Sequence, residues 1–366
     1  MIKKHRFLFL AASMAAILAA SMAASVALIL ASCAGTPQAK SQAPTTLRPL
    51  WVTDAALVYP DSEWVCAVGE GADARIAEGV AVTRLAQIFR VDLNSVTTIN
   101  QQFSQAVIST RGKTVSVSTD SIELAEELVS TSVVSGLVGL QVESWTERSG
   151  RAFANARMNR RECSARYSAM IRENENVISQ LKREAEQYLG TFEAYQILNL
   201  AHNFALVTDN LHSLLTVLDL SAVSRRPAYG NAEAVKSLVQ NAARAIIVTV
   251  SVTGDTGNRI ATAFTECFNS RGFRTNATGA NPYTLTASFQ LEDVDLGNPR
   301  NKFVRYILNC SLKNRAGVEI LSFSENHRDG HLTEAEARQR AIRSAEQSIG
   351  STGFAANFDV FLASLL

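Results

Sequence analysis

Residues 161–222 read RECSARYSAMIRENENVISQLKREAEQYLGTFEAYQILNLAHNFALVTDNLHSLLTVLDLSA, and their apolar spacing divides the chain around them. Tyr167, Ile171, Asn174, Ile178, Leu181, Ala185 and Tyr188 recur at alternating intervals of four and three. Ala194, Ile197, Ala201, Phe204, Thr208, Leu211, Leu215 and Leu218 do the same. Such intervals place side chains on one stripe of an α-helix. Gly190 stands between the two runs, where a helix stop belongs. The stretch predicts two helices, each roughly 35–40 Å long at 1.5 Å per residue, folded into an antiparallel hairpin with a coiled-coil-like seam. Asn174 at a seam position is the kind of polar intrusion that sets register. The second helix is also apolar off the seam, at Leu198, Leu200, Leu206, Val207 and Leu214, so it is expected to pack against something more. Its two histidines, His202 and His212, read as surface or packing residues rather than ligands. The hairpin itself reads either as a docking or self-association arm or as an internal brace.

Working outward, residues 49–160 read as one α+β unit. Residues 63–69 form a strand and 73–89 a helix, with Ile76, Val80 and Ile88 on one side and Ala77, Ala81 and Leu85 beside them. Residues 114–118 alternate like a strand, Asp120 or Ser121 can cap a short helix, and 138–145 and 151–158 form a hairpin across Arg148-Ser149-Gly150. After a linker at 223–231, residues 232–366 read as a second α+β unit. Its strands are 246–252, 283–291, 303–312 and 318–324. Asp255 caps an intervening helix, and Thr333 with Glu336 forms the capping box of a later one. The expected fold class is α+β: two small sandwich domains, antiparallel sheets with helices on one face, joined by the helical hairpin.

The N-terminus carries a different message. Lys3, Lys4 and Arg6 precede an apolar run from residue 7 to 30, which ends in Leu30-Ala31-Ser32-Cys33-Ala34. A basic block, an apolar stretch and small residues are the parts of a secretory signal. Residues 1–32 are therefore read as a signal peptide and 33–48 as a flexible tether. The run is also long enough to span a bilayer uncleaved; the cysteine at its end argues for cleavage. Removing Lys3, Lys4 and Arg6 from the 35 basic residues leaves 32 against 34 acidic ones, a near-neutral body that offers no field for nucleic acid.

Leu30-Ala31-Ser32-Cys33 resembles the lipobox of bacterial lipoproteins. That resemblance implies cleavage between Ser32 and Cys33, a diacylglycerol thioether on Cys33 and attachment to a membrane; several acyl chains exceed the weak hold of one. Ala34 stands where Asp would be the inner-membrane retention signal of enteric bacteria, which leans towards the outer membrane. Within 49–160, Pro49-Leu50-Trp51-Val52, Ala67-Val68-Gly69-Glu70-Gly71 and Val142-Glu143-Ser144-Trp145 resemble the twenty-kilodalton lipoprotein (LPP-twenty) family. Its members are outer-membrane surface antigens, some associated with the flagellar motor, and the resemblance brings no catalytic site. Residues 240–350 are similar to α+β modules of periplasmic lipoproteins that contact partner proteins, such as penicillin-binding-protein activators.

Four chemical signals complete the reading. Gly69-Glu70-Gly71 before a helix, with Asp92 about twenty residues on, fits a loose dinucleotide fingerprint; the polar, mixed residues 93–110 favour a tight turn instead. His327, Asp329 and His331 supply metal donors, read as lying in a loop. Thr253-Gly254-Asp255-Thr256-Gly257 opens a helix whose N-terminus is a place for an anion. Cys66 with Cys163, and Cys267 with Cys310, are candidate disulfides in an oxidising compartment, against buried free thiols. No cofactor is implied. The expected role is a non-catalytic, membrane-attached envelope protein that binds envelope proteins or itself, with a small-ligand carrier and a hydrolase or metalloenzyme as alternatives.

Overall fold

A computed structural model describes residues 47–89, 137–276, 282–297 and 300–366. Ser32 and Cys33, most of the tether, Asp92, the alternating run 114–118 and the caps at Asp120 and Ser121 lie outside the described residues. The described residues form a mixed α+β structure with one sheet of three strands and one of five.

Two single turns, α1 (Leu50–Thr53) and α2 (Ala55–Val58), lead into β1 (Trp64–Gly71). Asp73 starts α3 (Ala74–Ile88) by accepting the Ile76 N–H at 2.8 Å. β2 (Gln141–Thr146) and β3 (Ala152–Asn159) complete an antiparallel sheet in the order β1-β3-β2. Helix α3 buries Ala77, Ala81 and Leu85, while Ile76 and Ile88 are 44% and 45% exposed. The larger apolar residues yield the core to the alanines for a steric reason. A Cβ on Gly69 would fall 2.2 Å from the Ala77 carbonyl oxygen and 2.3 Å from the Ala81 nitrogen. Helix and strand backbones touch there, so only small residues fit between them.

Asn159 caps α4 (Arg160–Ala185), accepting the Glu162 N–H at 3.0 Å. A 3-10 turn and Gly190, at φ +77°, lead to α5 (Phe192–Leu218), capped by Thr191. The Arg160 guanidinium donates to the Val217 carbonyl at 2.6 Å, so the start of α4 meets the end of α5 and the helices run antiparallel. Tyr167, Ile171, Asn174, Ile178, Leu181 and Ala185 are buried on α4. Tyr188, in the turn beyond the helix end, is 40% exposed. On α5 the stripe from Ala194 to Leu218 is buried, and so are Leu198, Leu200, Val207 and Leu214. Part of that second apolar side is covered by α6 (Ala232–Ala245), whose Ala232, Val235 and Val239 enter the same core. The segment read as a linker is fastened down: Tyr229 is buried and its hydroxyl donates to Asp209 at 2.6 Å.

The second sheet comprises β4 (Ile247–Thr253), β5 (Arg274–Thr275), β6 (Tyr283–Val294), β7 (Lys302–Lys313) and β8 (Glu319–His331), in the order β5-β4-β6-β7-β8. It corrects the expectation of an all-antiparallel sheet. Helix α7 (Arg259–Asn269) carries the chain back before the next strands begin, so β4 pairs parallel with both β5 and β6. Only β6-β7-β8 is antiparallel. Thr333 caps α8 (Glu334–Gln347), a π-helical turn covers Ser348–Thr352, and α9 (Phe354–Ala363) closes the chain. Phe264, Phe268, Phe354 and Phe358 are fully buried in this core. Phe192, the first residue of α5, enters it too, 4.3 Å from the Tyr283 ring and 5.2 Å from Phe273. Among the described residues no helix is long and apolar enough to cross a membrane.

Candidate functional site

His327, Asp329 and His331 lie on β8, not in a loop. β7 offers a partner to each of them, Tyr306, Val304 and Lys302 respectively, and ladder pairing outweighs the polar composition of the run. Alternate residues of a strand share one face, so the three point the same way, but the outer two are about 13 Å apart at 3.3 Å per residue. His327 Nε2 stands 3.9 Å from Asp329 Oδ1, while His331 Nδ1 accepts the Thr333 N–H at 3.5 Å. No group of three or more His, Cys, Asp or Glu placed to hold a metal ion exists among the described residues. Beside them Glu325 accepts from the Ser348 hydroxyl at the π turn. A Cβ on Gly353 would meet Ser348 Oγ at 2.0 Å, so this knot is closed and fastens the turn to the sheet. Burial, with Glu325 beside it, pushes the Tyr306 phenol well above its ordinary range.

A cleft of about 920 Å³ lies between the end of α3, the last turns of α5 and residues 220–231. Phe89, Asp209, His212, Thr216, Val223 and Arg225 line it. The His212 and Glu175 side chains are each 13% exposed and stand 4.0 Å apart. His212 Nε2 is buried without a hydrogen-bond partner, and burial lowers its pKa against the opposing pull of Glu175. Arg225 donates to Glu175 at 3.2 Å. Asp209 accepts from the Tyr229 hydroxyl and, at 2.8 Å, from the Ala232 N–H, which starts α6. Leu220 and Val223 stand on the rim, 80% and 66% exposed. The neighbouring hydroxyls serve the helix backbone: Ser213 donates to the Asp209 carbonyl and Thr216 to that of Ser213. Neither is aligned on the imidazole as a nucleophile would be. An apolar rim over a polar floor suits binding. Sequence reading treated His212 as a packing or surface residue and missed Glu175, Asp209 and Arg225. The one local signal was Tyr229, a bulky aromatic in a supposed linker.

The remaining signals resolve locally. A Cβ on Gly71 would meet the Ala77 nitrogen at 2.6 Å, so the glycines of the dinucleotide-like run face α3 and leave no room for a pyrophosphate. The Asp255 carboxylate accepts from the Arg259 and Ala261 N–H groups at 3.1 and 2.9 Å, so it occupies the helix N-terminus that an anion would need. All four body thiols are free, so neither candidate pair is bridged and the free-thiol alternative holds in this structure. Cys66 stands on β1 across from Arg157, whereas Cys163 Sγ points at the Gly139 carbonyl, 3.9 Å away. Cys267 accepts from Arg271 at 3.2 Å and Cys310 is buried on β7. Burial pushes all four thiols up, Cys163 to about 11 and Cys310 to about 12. His202 faces a groove between α5 and α6, with burial and Lys236 lowering it.

No protein-family model matches the chain, and no curated protein matches it. Among solved structures it is similar to a minor lipoprotein from Acinetobacter baumannii, at 13% identity and TM-score 0.26, over 31% of this chain and 94% of that one. It is similar to the rare lipoprotein B from Shewanella oneidensis, at 14% identity and TM-score 0.23, over 31% and 98%. It is also similar to a secreted protein of Helicobacter pylori, at 12% identity and TM-score 0.35, over 83% and 98%.

Proposed function

We propose that this chain is a lipid-anchored protein of the bacterial cell envelope, placed at the outer membrane, acting as a non-catalytic binding or structural module. The observation that carries the reading is Leu30-Ala31-Ser32-Cys33 at the end of a basic-then-apolar N-terminus. Cys33→Ser is expected to abolish incorporation of labelled palmitate and to move the protein from the detergent phase to the aqueous phase. A native protein that begins upstream of Cys33, or an unchanged partition, would sink the proposal. The resemblance of residues 49–160 to the LPP-twenty family supports an outer-membrane or flagellum-associated assembly, with envelope proteins or a second copy as partner. The exposed rim of Leu220 and Val223 supports a contact surface at the cleft.

The cleft of about 920 Å³ also favours a second reading, a small-ligand carrier. Native mass spectrometry of protein purified from cells separates the two: a carrier retains a small ligand, and Val223→Trp releases it.

A further inference from the structure

A second groove, of about 430 Å³, runs between α5 and α6 and is closed by the turn after α7. Its walls follow from helix geometry. Tyr195, Asn199 and His202 repeat at four and three on α5; Lys236, Val239, Gln240, Ala243 and Arg244 repeat at three, one, three and one on α6. Val239 and Ala243 are buried and form an apolar floor. Three cations reach the groove: Lys236, Arg244 and, from the closing turn, Arg271. Lys236 is offset by Glu233 at 3.4 Å, and Arg271 is fully engaged by Asp359 and the Cys267 carbonyl. Arg244 has no carboxylate partner among the described residues, and no carboxylate lines the groove. One guanidinium is thus uncompensated, beside a second cation, two side-chain amides and an imidazole, all hydrogen-bonding groups.

We propose that this groove binds a phosphate-type oxyanion, carried either by a lipid headgroup or by a free phosphate, with Arg244 and Lys236 as the charged contacts. Guanidinium and ammonium groups bind such oxyanions through charge-assisted hydrogen bonds, and the apolar floor adds room for a carbon body. The inference does not depend on Cys33, so its failure and that of the proposed function are separable.

The readout is the His202 imidazole. It faces Lys236, Glu233 and Asp209, and shares the groove with Arg244 and Arg271. A bound oxyanion adds negative charge beside the ring and raises its pKa. The intact chain in neutral detergent is titrated by NMR with inorganic phosphate, and separately with short-chain phosphatidylglycerol against phosphatidylcholine. The expected result is an upward shift of His202 that saturates, weakens with salt, and becomes about tenfold weaker in affinity or more in Lys236→Gln/Arg244→Gln. Response to inorganic phosphate and phosphatidylglycerol alike marks the phosphate group as the ligand; response to phosphatidylglycerol alone marks a lipid headgroup. No shift with either probe, or an equal response in a double variant with unchanged melting temperature, overturns the proposal.

Discussion

Gly69 illustrates how far a single residue reaches. In the sequence it is half of a nucleotide-like fingerprint; in space it is the point where β1 and α3 touch, with helix backbone inside the volume of a methyl group. Gly69→Ala is expected to destabilise the fold by about 1–3 kcal/mol or more, because backbone cannot step aside as a side chain can. Chemical denaturation measures it, and Gly79→Ala is the control, since a Cβ there meets nothing within 4 Å. The same geometry explains why the alanine side of α3 is buried and the isoleucines are not. Apolar spacing weighs hydrophobicity and does not see the distance between two backbones.

At the scale of the element, α4 and α5 pack along a stripe that is plain in the sequence, yet Asn174 lies in it fully buried with neither amide atom hydrogen-bonded. Asn174→Leu is expected to raise stability by about 1–3 kcal/mol, the desolvation cost of an unpaired amide. An unchanged or lowered denaturation midpoint would show that the register of the pair needs this residue. Helix α5 also carries the two histidines that burial holds below their ordinary value. Both favour the neutral form in the folded chain, so the unfolded chain binds more protons in acid. Their contribution is therefore full above the ordinary histidine value of about 6.5 and is lost as pH falls through it. Melting temperature is expected to decline between pH 7 and 5, and less steeply in His212→Gln. The spacing of α4 and α5 was legible from residue types alone. What α5 touches on its other side was not, because any apolar side fits many partners.

For the whole molecule, the division of the chain into units is less clean than its sequence pattern. Ala232, Val235 and Val239 of α6 join the core of the first sheet and the long helices, as does Leu366 from the far end of the chain. Phe192 of α5 joins the core of the second sheet, packed against Phe273, Tyr283 and Phe358. Two cores that exchange elements are expected to unfold together. Phe192→Ala, at a cost of about 3–5 kcal/mol, is expected to split one calorimetric transition into two; a single transition shifted intact would place the coupling elsewhere.

By itself the sequence determined what repeats or punctuates locally: the long helices from their stripe, their reversal at Gly190 and the cap at Thr333. These depend on neighbours a few residues apart, where spacing and backbone preference suffice. Only the tertiary structure decided that β4 runs parallel to β6, that β8 continues through His331, and that Tyr229 ties a supposed linker to Asp209. It alone brought Asp209, His212 and Arg225 into one cleft, with Glu175 beside the last two, and Arg244 and Lys236 into another. Each depends on which surfaces meet across tens of residues, and that is set by the sum of packing and pairing over the chain, which no local window contains.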